Sequence, residues 1–409
     1  MNPTSTDTQV IIIGGGLVGT SLAVALGQVG VSVAVVESRE LKADQNAHYD
    51  DRTIALAQGS QQILSGLGVW AEIGPQACPI EMIHVSERGH FGMTRLRADE
   101  EAVSALGYVA PARVIGAALA ARMATLSSVD MLAPAEVVRL DLSAGRAVVD
   151  VDVAGRMEQC QADLLVAADG SRSGVREMLS IDVHERDYGQ TAIIANLSPE
   201  LPHNNVAYER FTDTGPMALL PMTDQRCALV WTLATEAVAA VLALDDEAFL
   251  ARVQERFGYR LGKLQKVGKR DAFPLSMMKS SESVRAQLAL IGNAMHTLHP
   301  VAGQGFNLGL RDVASLAEVI VDALQAGESI GDLAVLEKYR QWRQQDQSRV
   351  MTFTDGLIQL FSMPSPPVRL LRNCGMVVMD LLPPVKRLFG KATMGRAGRL
   401  PRLARGLPL

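Results

Sequence analysis

The segment Gln9-Val-Ile-Ile-Ile13 runs straight into Gly14-Gly15-Gly16-Leu17-Val18-Gly19, and this junction constrains the fold more than any other feature of the chain. A short β-branched run reads as a buried strand. Ser21-Leu-Ala-Val-Ala-Leu26 suits a helix, Val31-Ser-Val-Ala-Val-Val36 reads as a second buried strand, and Glu37 follows at once. Together they make a βαβ unit with G-x-G-x-x-G in its first turn. Gly14 permits the tight turn, Gly16 lets the backbone approach a pyrophosphate, and Gly19 lets helix and strand pack closely. The helix N-terminus offers free N–H groups and partial positive charge. Glu37 stands where an acid accepts hydrogen bonds from an adenosine ribose. The bland alternative, a glycine turn in some other α/β fold, does not account for strand, helix, second strand and acid in one order.

Two further glycine-rich junctions follow. Asp163-Leu-Leu-Val-Ala-Ala-Asp169-Gly170-Ser-Arg-Ser173-Gly-Val-Arg176 takes a strand into Asp-Gly. Leu288-Ala-Leu-Ile291-Gly292-Asn293-Ala294 continues into His299-Pro300-Val-Ala-Gly303-Gln304-Gly305-Phe306-Asn307, after which Leu308–Ala326 is predicted to be a helix stopping at Gly327. The chain of 409 residues is long for one core, and its 48% hydrophobic and 20% charged residues exclude disorder. A net charge of −5 argues against nucleic acid as a partner. No apolar run approaches the ~18 residues of a spanning helix, and the N-terminus lacks the positive region of a signal peptide. Four dispersed cysteines fit neither a disulfide framework nor a zinc site, so a reducing, cytoplasmic setting is expected.

The three ordered motifs, G-x-G-x-x-G, D-G-x-x-S-x-x-R and G-N-A…H-P-x-x-G-Q-G-x-N, resemble those of the FAD-dependent aromatic hydroxylases, similar to p-hydroxybenzoate hydroxylase. The likeness is nearer still to the ubiquinone-biosynthesis hydroxylases, carried by Asp51-Arg52-Thr-Ile-Ala-Leu56, His84-Val-Ser-Glu-Arg-Gly-His90, Tyr208-Glu-Arg-Phe211, Gly215-Pro-Met-Ala-Leu-Leu-Pro221 and Arg226-Cys-Ala-Leu-Val-Trp231. It extends from Val10 to about Arg343. The resemblance implies an α/β fold in which a Rossmann-type FAD domain is interleaved with a mixed β-sheet substrate domain, followed by a helical C-terminal region. The corresponding division is 1–180, with 76–104 lent to the substrate sheet, then 181–274 for that sheet, 275–330 for the second part of the FAD domain, and 331–409 for the helices.

The same resemblance implies FAD as cofactor, NADPH or NADH as co-substrate, and O2 delivered to the ring of a polyprenyl phenol, a 2-polyprenyl-6-methoxyphenol. Gly14, Gly15, Gly16 and Gly19 would hold the pyrophosphate and Glu37 the ribose. Arg52 and Arg113 would be basic contacts to the cofactor, and Asp169 would meet the pyrophosphate and ribityl region. Gly292 and Asn293 would lie along the ribityl chain, and Pro300, Gly303, Gln304, Gly305 and Asn307 would face the isoalloxazine. Relatives mostly have Asp where this chain has Asn293, so the bond there is not charge-assisted. No residue stands out as a catalytic base, and none is named.

His296 and His299 lack a third ligand at metal spacing and read as structural or flavin-side residues. Ser173 has no spaced His/Asp partners and reads as a cap or phosphate contact. Tyr208 and His203 read equally as phenol contacts or as satisfied polar groups, and Ala237–Leu244 as core. The isolated Trp70, Trp231 and Trp342 exclude the tryptophan motif of a flavin halogenase, while a non-catalytic flavin-binding assembly subunit remains the reading from another class. Association with other ubiquinone-biosynthesis proteins belongs to the same expectation. After Asp380 no acid occurs, whereas Lys386, Arg387, Lys391, Arg396, Arg399, Arg402 and Arg405 interleave with leucines. That pattern fits either a solvated or partner-docking tail or a peripheral contact with the inner membrane face. For the cofactor, Glu37→Gln is expected to weaken FAD retention modestly and Glu37→Arg to abolish most of it. The flavin-to-protein absorbance ratio of the purified variants measures this, and a fully yellow Glu37→Arg protein excludes the assignment.

Overall fold

The computed structural model describes residues 5–40, 49–143, 145–297, 303–363 and 365–409. Its first sheet is organised by the strand Ser5–Ile13, which pairs in parallel with Val33–Val36 on one side and with Arg156–Ala167 on the other. Val10 lies opposite both Val33 and Leu164, and Ile13 opposite both Val36 and Ala167. Leu288–Leu290 and Val129–Leu132 extend the parallel order outward. Both faces are covered around Val10–Ile13, Val33–Val36, Leu164–Ala167 and Leu288–Leu290, which is why these stretches are unbroken apolar runs rather than alternating ones. Ile11 and Ile12 point to opposite faces and both are fully buried.

The helices Leu17–Gly27 and Gln304–Gln325 cover one face together, with Leu22, Leu26, Leu310, Val313 and Ala314 in a single core. The second of these helices begins at Gln304, four residues before the start read from the sequence. Gly303 caps it in the left-handed region, at φ 60. The first turn, Gln-Gly-Phe-Asn, carries too little helix propensity to be legible on its own. The helix Ala112–Ala124 follows directly on the strand Gly107–Pro111. The helix Asp246–Phe257 is capped by Asp245, whose carboxylate accepts from the Ala248 N–H.

A nine-stranded mixed sheet draws on Met82–Glu87 and Met93–Arg97 as well as on the strands between Val183 and Ser280. Here the side chains do alternate. Ile193, Met217, Leu219, Leu229, Trp231 and Leu233 pack on Phe249, Val253 and Phe257 of the helix behind the sheet. Residues of the opposite parity face a cavity. The segment Ala237–Leu244, read as core, packs on the Phe249 cluster through the buried Val238 and the partly buried Val241, Leu242 and Leu244.

Three helices close the chain: Leu333–Ser362, Pro366–Leu381 and Pro383–Thr393. Pro366-Pro367 and Pro383-Pro384 occupy first-turn positions, where a missing N–H costs nothing. The basic tail is neither frayed nor free. Leu403 and Ala404 are buried in the core of the first sheet's domain, Arg402 pairs with Asp322, and Lys386 lies 2.7 Å from Glu100. The Arg399 guanidinium stacks over Trp342, whose indole N–H donates to the Arg399 carbonyl at 3.0 Å.

One buried carboxylate links these parts. Asp312, fully buried on the helix Gln304–Gln325, accepts from the Gly292 N–H (3.2 Å), His296 Nε2 (2.7 Å), Arg343 Nε (2.8 Å) and Gln347 Nε2 (3.0 Å). Burial alone opposes its ionisation, but His296 and Arg343 outweigh that and hold the carboxyl well below the usual range. Arg343 is held in turn by Asp346, which also binds Arg311. Asp312→Ala leaves Arg343 buried beside an empty space, so a loss of about 3–5 kcal/mol is expected. Urea unfolding checks it, and Asp312→Asn is expected to lose less.

Candidate functional site

The first glycine turn is built for close contact on one side and open space on the other. Gly14 has φ +106, and a Cβ there would lie 2.5 Å from the Ala168 carbonyl oxygen. A Cβ on Gly19 would lie 1.9 Å from the Gly14 carbonyl oxygen, so these two glycines are required by packing. Gly16 differs, because nothing lies within 4 Å of where its Cβ would be. Its glycine meets no demand from the protein's own atoms, and it stands at the N-terminus of the helix Leu17–Gly27. A ligand approaching the backbone accounts for it.

Glu37 closes the turn from the end of the second strand. Its Oε2 accepts from the Gly15 N–H at 2.7 Å and its Oε1 from the Arg39 N–H at 2.9 Å. A carboxylate has about four acceptor sites, so it still has capacity for a ribose hydroxyl. The Asp-Gly junction sits beside the turn. Asp169 Oδ2 accepts from the Val175 N–H at 3.1 Å, while its Oδ1 is buried without a partner among the described residues. Ser173 is a helix cap, its Oγ accepting from the Arg176 N–H.

The third junction faces a cavity of about 1090 Å³. Asn293 lines it with an exposed side chain. Thr297 lines it too, its buried Oγ1 unpartnered among the described residues. Gly303, Gln304, Gly305 and Asn307 complete this wall. Asn307 uses its amide on the protein: Nδ2 donates to the carbonyls of Ala55 (2.9 Å) and Gly303 (2.7 Å), and Oδ1 accepts from the Ala57 N–H (2.8 Å). It pins the loop against the strand Thr53–Ala57 rather than offering its side chain to a ligand. Pro300 and His299 lie outside the described residues. Arg52 lines the cavity, its guanidinium 5.3 Å from the Phe273 ring centroid. Arg113 is held by Asp51 at 2.8 Å and does not line it.

These features fit FAD. The open Gly16, the unpartnered Oδ1 of Asp169, the exposed Asn293 and the glycines at 303 and 305 leave donors, acceptors and space along one path. Among the described residues no cluster of His, Cys, Asp and Glu suits a metal. His296 is bonded to Asp312, and His203 is satisfied by the Met222 carbonyl (2.9 Å) and the Asn205 N–H (3.1 Å). The Tyr208 ring packs on Phe257 at 5.4 Å.

Away from the glycine junctions the cavity is apolar, running over Ile83, Val85, Ala218 and Val230 of the mixed sheet to Leu357, Phe361 and Met376 of the C-terminal helices. Arg372 also reaches it but is paired with Glu87, which leaves one carboxylate on the sheet side, and sequence reasoning missed that group. Glu209 sits on the cavity face with no hydrogen-bond partner among the described residues. The signal was present, since Ala207, Glu209 and Phe211 share one parity of a strand, and only the middle one is charged.

Residues 7–354 match the family model described as FAD binding domain. The chain is 39% identical to the ubiquinone hydroxylase UbiL of Rhodospirillum rubrum, over 98% of this chain and 93% of that protein. It is 32% identical to the 3-demethoxyubiquinol 3-hydroxylase of Escherichia coli, over 96% and 100%. The human mitochondrial ubiquinone biosynthesis monooxygenase COQ6 is 30% identical over 93% and 92%. Among solved structures, p-nitrophenol 4-monooxygenase PnpA of Pseudomonas putida superposes with a TM-score of 0.79 at 17% identity, covering 97% of this chain and all of that one. PqsL of Pseudomonas aeruginosa gives 0.75 at 20%. Both share the fold.

If Asn293 lies along the ribityl chain, Asn293→Asp converts a neutral bond into a charge-assisted one and is expected to tighten FAD by about 1 kcal/mol. Flavin fluorescence titration of the stripped protein measures it, and loss of flavin from that variant removes this loop from the cofactor site.

Proposed function

The chain belongs to the family of FAD-dependent ubiquinone-biosynthesis hydroxylases, and from that premise we propose that its cavity takes a polyprenyl phenol, a 2-polyprenyl-6-methoxyphenol, for ring hydroxylation. FAD, reduced by NAD(P)H, supplies the activation of O2 and the transfer of one oxygen atom to the ring. Gly14, Gly15, Gly16, Gly19, Glu37 and Asp169 would hold the nucleotide end, with Arg52 and Arg113 near its path. Gly292, Asn293, Pro300, Gly303, Gln304, Gly305 and Asn307 would border the flavin. In this reading the FAD-binding part comprises 1–180 and 275–330, and the substrate sheet comprises 181–274 with 76–104. The helical region 331–409 forms the far wall. That wall keeps water from the reacting centre while the sheet orients the ring.

The observation that carries the substrate class is the continuity of the cavity. It runs from the glycine loop at 303–307 to Phe353, Leu360 and Leu371, which line it and are also 40%, 40% and 73% exposed. An apolar tail fits a channel that is greasy to its mouth. The same face bears Leu370, Leu381 and Leu388, 59%, 70% and 70% exposed, with the exposed Arg387 and Lys391 on the neighbouring helix. Among the described residues no helix is long and apolar enough to cross a membrane. Peripheral contact of this face with an anionic bilayer is therefore the route proposed for collecting the tail, at the inner face of the membrane.

A different ring position is the second reading, favoured by the likeness to the Escherichia coli protein named for 3-demethoxyubiquinol. Quinone profiling of a deletion strain separates the two: accumulation of the prenyl-methoxyphenol supports the first, and demethoxyubiquinone the second. For the membrane contact, the wild-type protein is expected to sediment with anionic liposomes at low salt and to be released at high salt. Each basic residue near the surface contributes about 1 kcal/mol. Leu371→Asp with Leu388→Asp should reduce sedimentation and slow long-tailed substrate more than a short-tailed analogue. Equal slowing on both removes the membrane route.

A further inference from the structure

We infer that Glu209 is the group that accepts the proton of the substrate's phenolic hydroxyl during oxygen transfer. The inference rests on reading the cavity as the phenol site. The strand Val206–Thr212 pairs Glu209 with Val85 on one side and Ala218 on the other. Val230 follows beyond Ala218 in the sheet. These are apolar, so the carboxylate projects from an apolar floor. It lies deep in the protein, yet part of its surface faces the cavity. No described residue hydrogen-bonds it, so a carboxylate that is costly to bury is left for something that enters the cavity.

The charged groups around it are few. On its own strand Tyr208 and Arg210 have the opposite parity, and His84 and Ser86 likewise flank Val85 on the neighbouring strand. The C-terminal helices present Arg372, which is bonded to Glu87 and stacked over Phe361. Beyond the mixed sheet, Arg52 stands over Phe273. Burial pushes the Glu209 carboxyl up to about 7, whereas a free phenol titrates near ~10. Before reaction the proton therefore rests on the phenol, and the carboxylate accepts a hydrogen bond from it. As oxygen adds to the ring, the ring loses electron density and the hydroxyl becomes strongly acidic. The O–H bond breaks, its electron pair returns to the ring system as a carbonyl, and the proton passes to a Glu209 oxygen. The bond therefore strengthens toward the transition state, which is the condition for raising turnover rather than affinity.

The test uses the FAD-loaded full-length protein with NAD(P)H, O2 and a short-tailed 2-prenyl-6-methoxyphenol. Glu209→Gln preserves shape, and bound flavin with melting temperature reports its folding. Its hydroxylation kcat is expected to fall by ~10²–10⁴-fold with KM changed only a few-fold, while NAD(P)H oxidation continues uncoupled from product. Wild-type kcat should rise with pH through about 7, and this limb should vanish in Glu209→Gln. A ring-fluorinated, more acidic phenol should restore much of the lost rate, and Glu209→Asp should keep part of it. The near-ultraviolet difference spectrum of the bound fluorinated phenol adds a readout independent of turnover. Its phenolate band should shift to higher pH in wild type, where the carboxylate disfavours a second negative charge, and to lower pH in Glu209→Gln. Wild-type kcat and an unchanged pH profile in Glu209→Gln overturn the role of Glu209. Failure of wild-type protein to bind or hydroxylate the phenol overturns the reading of the cavity instead.

Discussion

The buried Asp312 carboxylate is the interaction on which the arrangement of the site depends. Three separate stretches of chain converge on it: the Gly292–His296 turn, the helix that carries it, and Arg343 with Gln347 on the next helix. A charge with no water around it is tolerable only if its partners stay in place. The turn that presents Asn293 to the cavity is therefore tied to the helix that begins at Gln304, and both are tied to the helical wall opposite the mixed sheet. Asn307 adds a neutral version of the same device by spending its whole amide on Gly303, Ala55 and Ala57.

The two sheets divide the work by their periodicity. The parallel centre of the first sheet is buried on both faces, so only the glycine turns at its strand ends are open to a ligand. The mixed sheet packs one face on the helix Asp246–Phe257 and leaves the other to the cavity. Substrate chemistry can then be varied by side chains at alternate positions without touching the core. Glu209 is the carboxylate on that face. The price of burying it unpaired, a raised pKa, is what suits a carboxylate to taking a proton near neutrality.

The glycine junctions were legible because their causes are local. Gly14 needs a positive φ, Gly19 a close approach to the Gly14 carbonyl, and Ser173 caps a helix within a few residues. The double prolines mark the starts of the last two helices for the same reason. The start of the helix at Gln304 was not legible, since its first turn is held by Gly303 and by contacts with residues some 250 positions away. The basic tail misled in a comparable way. Its composition matches a solvated segment, but Leu403 is inserted in the core and Arg402 meets Asp322 on a helix read separately.

By itself the sequence determined the parallel nucleotide-binding unit and the order of the three glycine junctions. Each of these follows from backbone sterics or from a period of two or 3.6 residues. Tertiary structure alone decided which carboxylates matter. Asp312, Glu87 and Glu209 look alike as letters, and even the charge that Glu209 places between Ala207 and Phe211 does not say whether a partner meets it. The fold gives the first two buried cationic partners and gives the third an apolar cavity with none. Burial and partnership set the cost and the proton affinity of a charge, and both are properties of atoms brought together from distant parts of the chain.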